Sequence, residues 1–260
     1  MKVRIISSLI LIPLLFAVYS GGPLLKLIGF IIALVALKEF YDAFKNIQIV
    51  PIYGIGVFCC VLLYALDITG RISRYFSFWV FATVFIVLIY GLFSKGVGIK
   101  NGALTLVGIF YIVFCSYHVI LIDGIVGYRY LIWFVFITAF VTDTSAYFAG
   151  YLFGKHKLWP EISPKKTIEG AIGGVIGSVV VSVIVGYLIA PQLILHFIIL
   201  GIIGSVAGQI GDLVASAFKR ISGIKDFGNL IPGHGGVLDR FDSVLFTAPV
   251  VYYYTVLFIM

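Results

Sequence analysis

Residues 168 to 189 read IEGAIGGVIGSVVVSVIVGYLI. With Glu169 as its only charged side chain, this stretch is long enough to cross a hydrocarbon core of roughly 30 Å as one helix. Lipid offers backbone N–H and C=O groups no partner, so a helix, which satisfies them internally, is the expected spanning form. A barrel strand would need only about half this length. Gly170, Gly173, Gly174 and Gly177, like Gly204 and Gly208 further on, place small residues at the spacing of one helix face. That pattern favours close helix packing over chemistry.

Comparable apolar stretches lie near 4–20, 23–41, 49–67, 76–93, 103–122, 130–153, 193–217 and 244–260. The expected fold is therefore all-α: a polytopic integral membrane helical bundle of about nine transmembrane helices. The composition agrees, with 62% hydrophobic and 11% charged residues, where a soluble domain carries roughly 25% charged. No stretch is left for a sizeable soluble domain, so residues 1–260 are expected to form one membrane domain. Within it, the helices of 1–129 read as scaffold with dimer contacts, and 130–260 as the helices that carry the chemistry.

The net charge of +7 reports membrane orientation here rather than nucleic-acid binding, because the basic residues are scattered between apolar spans. With the N-terminus in the cytoplasm, all of the 18 Lys and Arg except Lys26, Arg71, Arg74 and Arg129 fall on the cytoplasmic side, as the positive-inside rule expects. Lys2 and Arg4 followed by an apolar run resemble a secretory signal, with Ser20-Gly21-Gly22 imitating a cleavage region. An uncleaved first helix is the simpler reading, since further spans follow. Cys59, Cys60 and Cys115 lie in apolar runs without metal spacing and read as packing residues. Trp79, Trp133 and Trp159, near span ends, read as interface anchors.

Two connections are long and polar, and both fall on the expected cytoplasmic side. The first holds Ser163-Pro164-Lys165-Lys166-Thr167-Ile168-Glu169-Gly170; its lysines serve either as positive-inside anchors or, standing just before a helix start, as ligands for an anion. The second belongs to the densest polar stretch of the chain, Ser216–Asp242, SAFKRISGIKDFGNLIPGHGGVLDRFD. On the helix entering it, Asp212, Ser216 and Lys219 share one face. A carboxylate within a membrane costs on the order of 2.5 to 3.5 kcal/mol on insertion scales, and either a structural pair with Lys219 or a bound cation would offset that.

At its far end Asp239 and Asp242 are three residues apart. Two convergent carboxylates repel unless a cation lies between them, and hard oxygen donors suit Mg²⁺; a charged helix start, with acids at the N-terminal dipole, is the competing reading. Between the ends, Pro232-Gly233-His234-Gly235-Gly236 can turn its backbone amides toward an anion. Lys219, Arg220 and Lys225 nearby make it a candidate triphosphate cradle, although Lys225-Asp226 would also suit an ordinary solvated loop. His234 is read as positioning phosphate rather than as a general base, since an anionic phosphate nucleophile has no proton to lose. Asp143, within a span and beside Thr and Ser side chains, is a functional candidate by default or a locally hydrogen-bonded acid. Glu39 and Asp42 beside Lys38 are weaker candidates, more simply explained as a charged helix end.

These residues resemble the phosphatidate cytidylyltransferase (CDP-diacylglycerol synthase) family. Its signature is matched by Ser216, Lys219-Arg220, Lys225-Asp226, Pro232-Gly233-His234-Gly235-Gly236 and Asp239-Arg240-Phe241-Asp242. The segments Asp143–Gly150 and Lys165–Gly170 also look like family patterns, so the resemblance covers roughly the C-terminal half. It implies that CTP and phosphatidic acid give CDP-diacylglycerol and pyrophosphate, with Mg²⁺ required, in phospholipid synthesis. The expected step is in-line attack of the lipid phosphate on the CTP α-phosphorus. Asp212, Asp239 and Asp242 are the expected metal ligands, and Asp226 and Asp143 leave room for a second cation. Lys165, Lys166, Ser216, Lys219, Arg220, Lys225, Gly235, Gly236, Arg240 and His234 are expected to hold the reacting phosphates. The expected setting is the bacterial inner (plasma) membrane, as a homodimer with its active site toward the cytoplasm. A CTP-dependent polyprenol kinase and an anion transporter are the alternatives; no inverted repeat supports the transporter.

Overall fold

The computed structural model describes residues 11–93, 98–230 and 235–260. Among these residues the chain forms nine helices: α1 (Leu11–Ser20), α2 (Gly22–Phe44), α3 (Tyr53–Ile68), α4 (Ile72–Phe93), α5 (Gly98–Asp123), α6 (Arg129–Phe153), α7 (Ile168–Ile189), α8 (Ile194–Ile221) and α9 (Leu238–Ile259). Six are long and apolar enough to cross a membrane, namely α4 to α7, α9, and α8 with the short 3-10 turn Pro191–Leu193 that leads into it. The chain is thus a helical membrane protein. α2 carries Lys26, Lys38, Glu39 and Asp42 along its length, and α3 is shorter than a full span.

The segment expected as a plain loop after α6 is instead a two-stranded antiparallel hairpin, β1 (Lys157–Trp159) with β2 (Ser163–Thr167), pairing Lys157 with Thr167 and Trp159 with Ser163. α3 starts at Tyr53 rather than near residue 49, because Pro51 disfavours the helical conformation at Val50 before it. The amides before it are taken up by α5 side chains: Val50 N–H donates to Asn101 Oδ1 (3.2 Å) and Ile52 N–H to Thr105 Oγ1 (2.8 Å).

The chain divides into two compact units, one of residues up to Tyr117 with Ile221–Arg240, the other of His118–Arg220 with Phe241–Met260. In the first, Leu37, Phe40, Tyr41, Cys60, Leu63 and Ile112 form a dry core. Tyr41 crosses α5 at Gly108 and donates its hydroxyl to the Thr105 carbonyl (2.7 Å). Trp79, expected at a membrane interface, is fully buried, and its indole N–H donates to the Cys59 carbonyl (2.9 Å). A buried indole needs such a partner, and the free Cys59 carbonyl edge of α3 provides it.

In the second unit α6 and α7 lie in near-backbone contact. A Cβ on Gly170 would stand 2.8 Å from the Ala146 carbonyl and one on Gly174 3.1 Å from that of Thr142, while Gly173 abuts Ala149 and Gly177 abuts Ser145. The glycine spacing therefore serves packing, as expected. The opposite ridge of α7, Ile172, Ile176, Val180, Ile184 and Leu188, is exposed throughout, which is a lipid-facing stripe on a helix whose other face is glycine. Phe134 of α6 and Phe197 of α8 stack with centroids 4.5 Å apart. The Ser178 hydroxyl donates to the Gly201 carbonyl (3.0 Å) and that of Thr247 to the Val135 carbonyl (3.1 Å), polar ties of the kind that join helices in lipid.

Gly173→Val should force α6 and α7 apart and lower stability by about 1–3 kcal/mol, whereas Ile176→Val on the lipid-facing ridge should change it by less than about 0.5 kcal/mol. Thermal unfolding of the two variants in detergent checks the contrast.

Candidate active site

Threonine at a helix start accepts a backbone N–H that the helix itself cannot satisfy, and Thr167 does this for α7, its Oγ1 taking the Gly170 amide (3.1 Å). Two residues on, Glu169 reaches back over the hairpin. Its carboxylate accepts the amides of Lys155 (3.1 Å) and His156 (3.2 Å) and pairs with His156 Nδ1 (2.7 Å). The hairpin is thereby locked to the start of α7, and Lys165 and Lys166, its last strand's basic pair, are held in place by it.

Lys166 Nζ meets Asp212 Oδ2 of α8 at 2.5 Å, and the Ser216 hydroxyl reaches Asp212 Oδ1 at 3.4 Å. Asp212 is thus paired with Lys166, from the hairpin. Lys219 lies near enough to Asp242 to interact with it electrostatically. Arg220 Nε donates to the Ile162 carbonyl at the hairpin turn (3.2 Å). Gly211 lets α8 and α9 approach closely, since a Cβ there would stand 2.8 Å from the Asp242 carbonyl.

Asp242 is buried, its Oδ1 accepting the Ser243 amide (2.8 Å), and Ser243 Oγ donates to Asp143 Oδ2 (3.3 Å). Asp143 and Asp212 both lie near enough to interact electrostatically with Asp242. A cavity of about 510 Å³ opens beside them, lined by Asp143, Tyr147, Lys165, Lys166, Gln209 and Asp212 among others, within the size range of ligand pockets. Lys157, from β1, joins its wall. Gln209 is oriented by bonds from Nε2 to the Ala171 carbonyl (3.2 Å) and Ser205 Oγ (3.3 Å), the latter also accepting from Thr142 Oγ1 (2.8 Å). Three lysines facing two carboxylates make a place for a polyanion and a cation together.

Other signature residues belong to the first unit. Asp239 Oδ2 accepts the amides of Phe227 (2.8 Å) and Gly236 (3.0 Å), drawing the loop into a closed turn. Gly235 has φ +85°, a left-handed conformation that suits glycine, and faces Asp239 and the Cβ of Asp226. The next two amides, Val237 and Leu238, donate to Glu39 of α2 (3.0 and 2.8 Å). Lys225, Asp226 and Arg240 are exposed. Pro232, Gly233 and His234 lie outside the described residues.

Among the described residues no three His, Cys, Asp or Glu side chains converge closely enough to hold a metal ion by themselves. Magnesium seldom needs such a cage, taking one or two carboxylates and completing its shell with water and substrate phosphate. Asp212 and Asp242, mutually interacting carboxylates beside a lysine-lined cavity, fit that requirement.

Residues 2–258 match the family model described as "Cytidylyltransferase family". The chain belongs to the cytidylyltransferase family. It is similar to the phosphatidate cytidylyltransferases of Staphylococcus haemolyticus (39% identical over 259 residues), Staphylococcus epidermidis (38% over 259) and Staphylococcus saprophyticus (39% over 254), each alignment covering 96% of both chains. The family assignment thus extends over the N-terminal helices, where the sequence alone offered only hydrophobic spans.

Sequence reasoning did not place Gln209 or Lys157 at the cavity that they line. Gln209 carried a usable signal, being a polar side chain three residues before Asp212 in an apolar helix. Lys157 is indistinguishable in sequence from an orientation charge. Thr167→Val should remove the α7 cap, lowering stability by about 1 kcal/mol. The same variant should speed hydrogen exchange in peptides from the hairpin, and mass spectrometry reads that directly.

Proposed function

We propose that this protein is a phosphatidate cytidylyltransferase, transferring the cytidylyl group of CTP to phosphatidate to give CDP-diacylglycerol and pyrophosphate. The observation that carries this is near-full-length similarity, at 38–39% identity, to phosphatidate cytidylyltransferases. The residue chemistry of the second unit supports it: a triphosphate and a phosphate monoester are polyanions, and the cavity sets Lys157, Lys165 and Lys166 beside Asp143 and Asp212.

In the reaction, an oxygen of the phosphatidate phosphate attacks the CTP α-phosphorus in line. The bond from that phosphorus to the α,β-bridging oxygen breaks, and pyrophosphate carries away its electron pair. Lys165, Lys166 and Lys157 bind the phosphates and balance their charge, so that two anions can approach each other. Lys219 and Arg220, on the last turn of α8, hold the leaving pyrophosphate. Asp212 and Asp242, with Asp143 near, would hold Mg²⁺, and a second cation is proposed beside them. When bound, Mg²⁺ would neutralise phosphate charge and bring the reacting groups together. Ser216 orients Asp212, while Asp239 and Gly236 close the signature loop and keep Gly235 in its turn. Of the signature residues, Lys225, Arg240 and His234 are proposed to bind phosphate and Asp226 to serve a second cation.

The proposed setting is the bacterial plasma membrane, with nine crossings, the N-terminus and the active site on the cytoplasmic side, and the protein acting as a homodimer without nucleic acid. The distribution of Lys and Arg along the chain supports that orientation. The helices of residues 1–129 serve as scaffold and those of 130–260 carry the chemistry.

Purified protein given CTP labelled at the α-phosphate should place the label in lipid, with Mg²⁺ present and not without it. CTP labelled at the γ-phosphate should leave the lipid unlabelled; the reverse pattern would make the protein a lipid kinase instead. Asp242→Asn should lower kcat by roughly 100-fold or more in protein that still extracts and melts normally. Lys166→Met should chiefly raise the KM for CTP, read from initial rates across nucleotide concentration.

A further inference from the structure

Glu39 is a buried carboxylate on α2, 198 residues from the amide of Val237 that it binds. In sequence it looks like one charge of a helix end, beside Lys38 and Asp42. In the structure its two oxygens are divided between consecutive amides, Oε1 to Val237 (3.0 Å) and Oε2 to Leu238 (2.8 Å). Leu238 is the first residue of α9, so Glu39 takes N–H groups that the helix cannot satisfy internally, at the positive end of its dipole.

The loop is built around this carboxylate. A Cβ on Gly228 would stand 2.5 Å from Glu39 Oε1, and one on Gly236 2.5 Å from Oε2. Neither position admits a side chain while Glu39 is in place. Phe40, the next residue of α2, sets its ring 6.2 Å from that of Phe227. The amide of Gly236, just before the Glu39 pair, goes to Asp239 Oδ2. Three consecutive amides, 236 to 238, are therefore occupied by two carboxylates of the protein itself.

We propose that Glu39 is a positioning residue for cytidylyl transfer. By holding the first amides of α9 it fixes where that helix begins and how it is rotated, and so where its first turn presents Asp239 and, three residues on, Asp242. Substrate phosphate does not bind these amides, because Glu39 already fills their end of the helix. This rests on the reading of Asp242 as a member of the reacting site.

Glu39→Gln keeps the shape of the side chain but turns an NH₂ donor toward one of two N–H donors. It should lower kcat about 10-fold or more, as loss of a group that orients a metal ligand commonly does, with KM for CTP changed less than about twofold. Hydrogen exchange in peptides spanning 235–242 should quicken, while that of α7 stays as in the parent. Glu39→Asp, which restores the charge, should recover part of the lost kcat. Should Glu39→Gln not extract in folded form, Gly228→Ala displaces the same carboxylate from the other side and should give the same kcat loss. The double variant should lose less than the product of the two single effects, since both act on one contact.

Parental kcat in folded Glu39→Gln, a loss confined to melting temperature, or fully multiplicative effects would overturn the proposal. If the parent protein makes no CDP-lipid, it is the functional reading that fails. The exchange comparison at 235–242 then still decides whether Glu39 holds the start of α9.

Discussion

A carboxylate on a membrane helix has to meet a counter-charge, and for Asp212 that charge is Lys166, delivered from outside the helices by a hairpin. This one ion pair depends on much of the second unit. Lys166 is in reach because the hairpin is tied to the start of α7 by Thr167 and Glu169. The hairpin can sit there because α6 and α7 approach nearly to backbone contact, which only the row of small residues at 170, 173, 174 and 177 permits. Packing, capping and electrostatics are thus consecutive steps of one arrangement, and the cavity with its lysines is the outcome.

The signature loop follows a different principle. Its order comes from carboxylates that accept backbone amides rather than from ion pairs: Asp239 closes the turn on itself and Glu39 pins the helix start from α2. Charge-assisted bonds to backbone are stronger than neutral ones, and each replaces a hydration shell that a buried amide would lack. A loop rich in glycine gains from such anchors, because little else about its sequence restricts its conformation.

Much of this was legible in the sequence. Helices of spanning length follow from composition alone, the glycine rows announce packing, and the acids and bases of Ser216–Asp242 mark themselves by standing in so apolar a chain. Asp143 and Asp212 mark themselves as carboxylates within spans and Asp242 as a partner of Asp239 at a helix start, and Asp143 and Asp212 are both found interacting with Asp242. What stayed hidden depends on long-range pairing. Spacing along the helix points Asp212 to Lys219, and gives no sign of Lys166, which reaches it from the hairpin. Trp79 sits where an interface anchor would, but its indole faces inward to Cys59. Glu39 reads locally as no more than a weak candidate at a charged helix end, since its partners lie at the other end of the chain. The hairpin escaped notice because Ser-Pro-Lys-Lys-Thr has no alternating pattern; its strands are held by their ends.

The two faces of α7 carry a consequence for how such a chain can drift. On the ridge of Ile172, Ile176, Val180, Ile184 and Leu188 the neighbour is fluid hydrocarbon, which accommodates any apolar shape, so these positions are interchangeable within a hydropathy limit. On the glycine face the neighbour is the backbone of α6, and there the alphabet shrinks to the smallest residues. One helix thus holds two vocabularies, one constrained by solubility in lipid and one by volume, and an amino-acid change is neutral or ruinous according to which side of the cylinder it falls on.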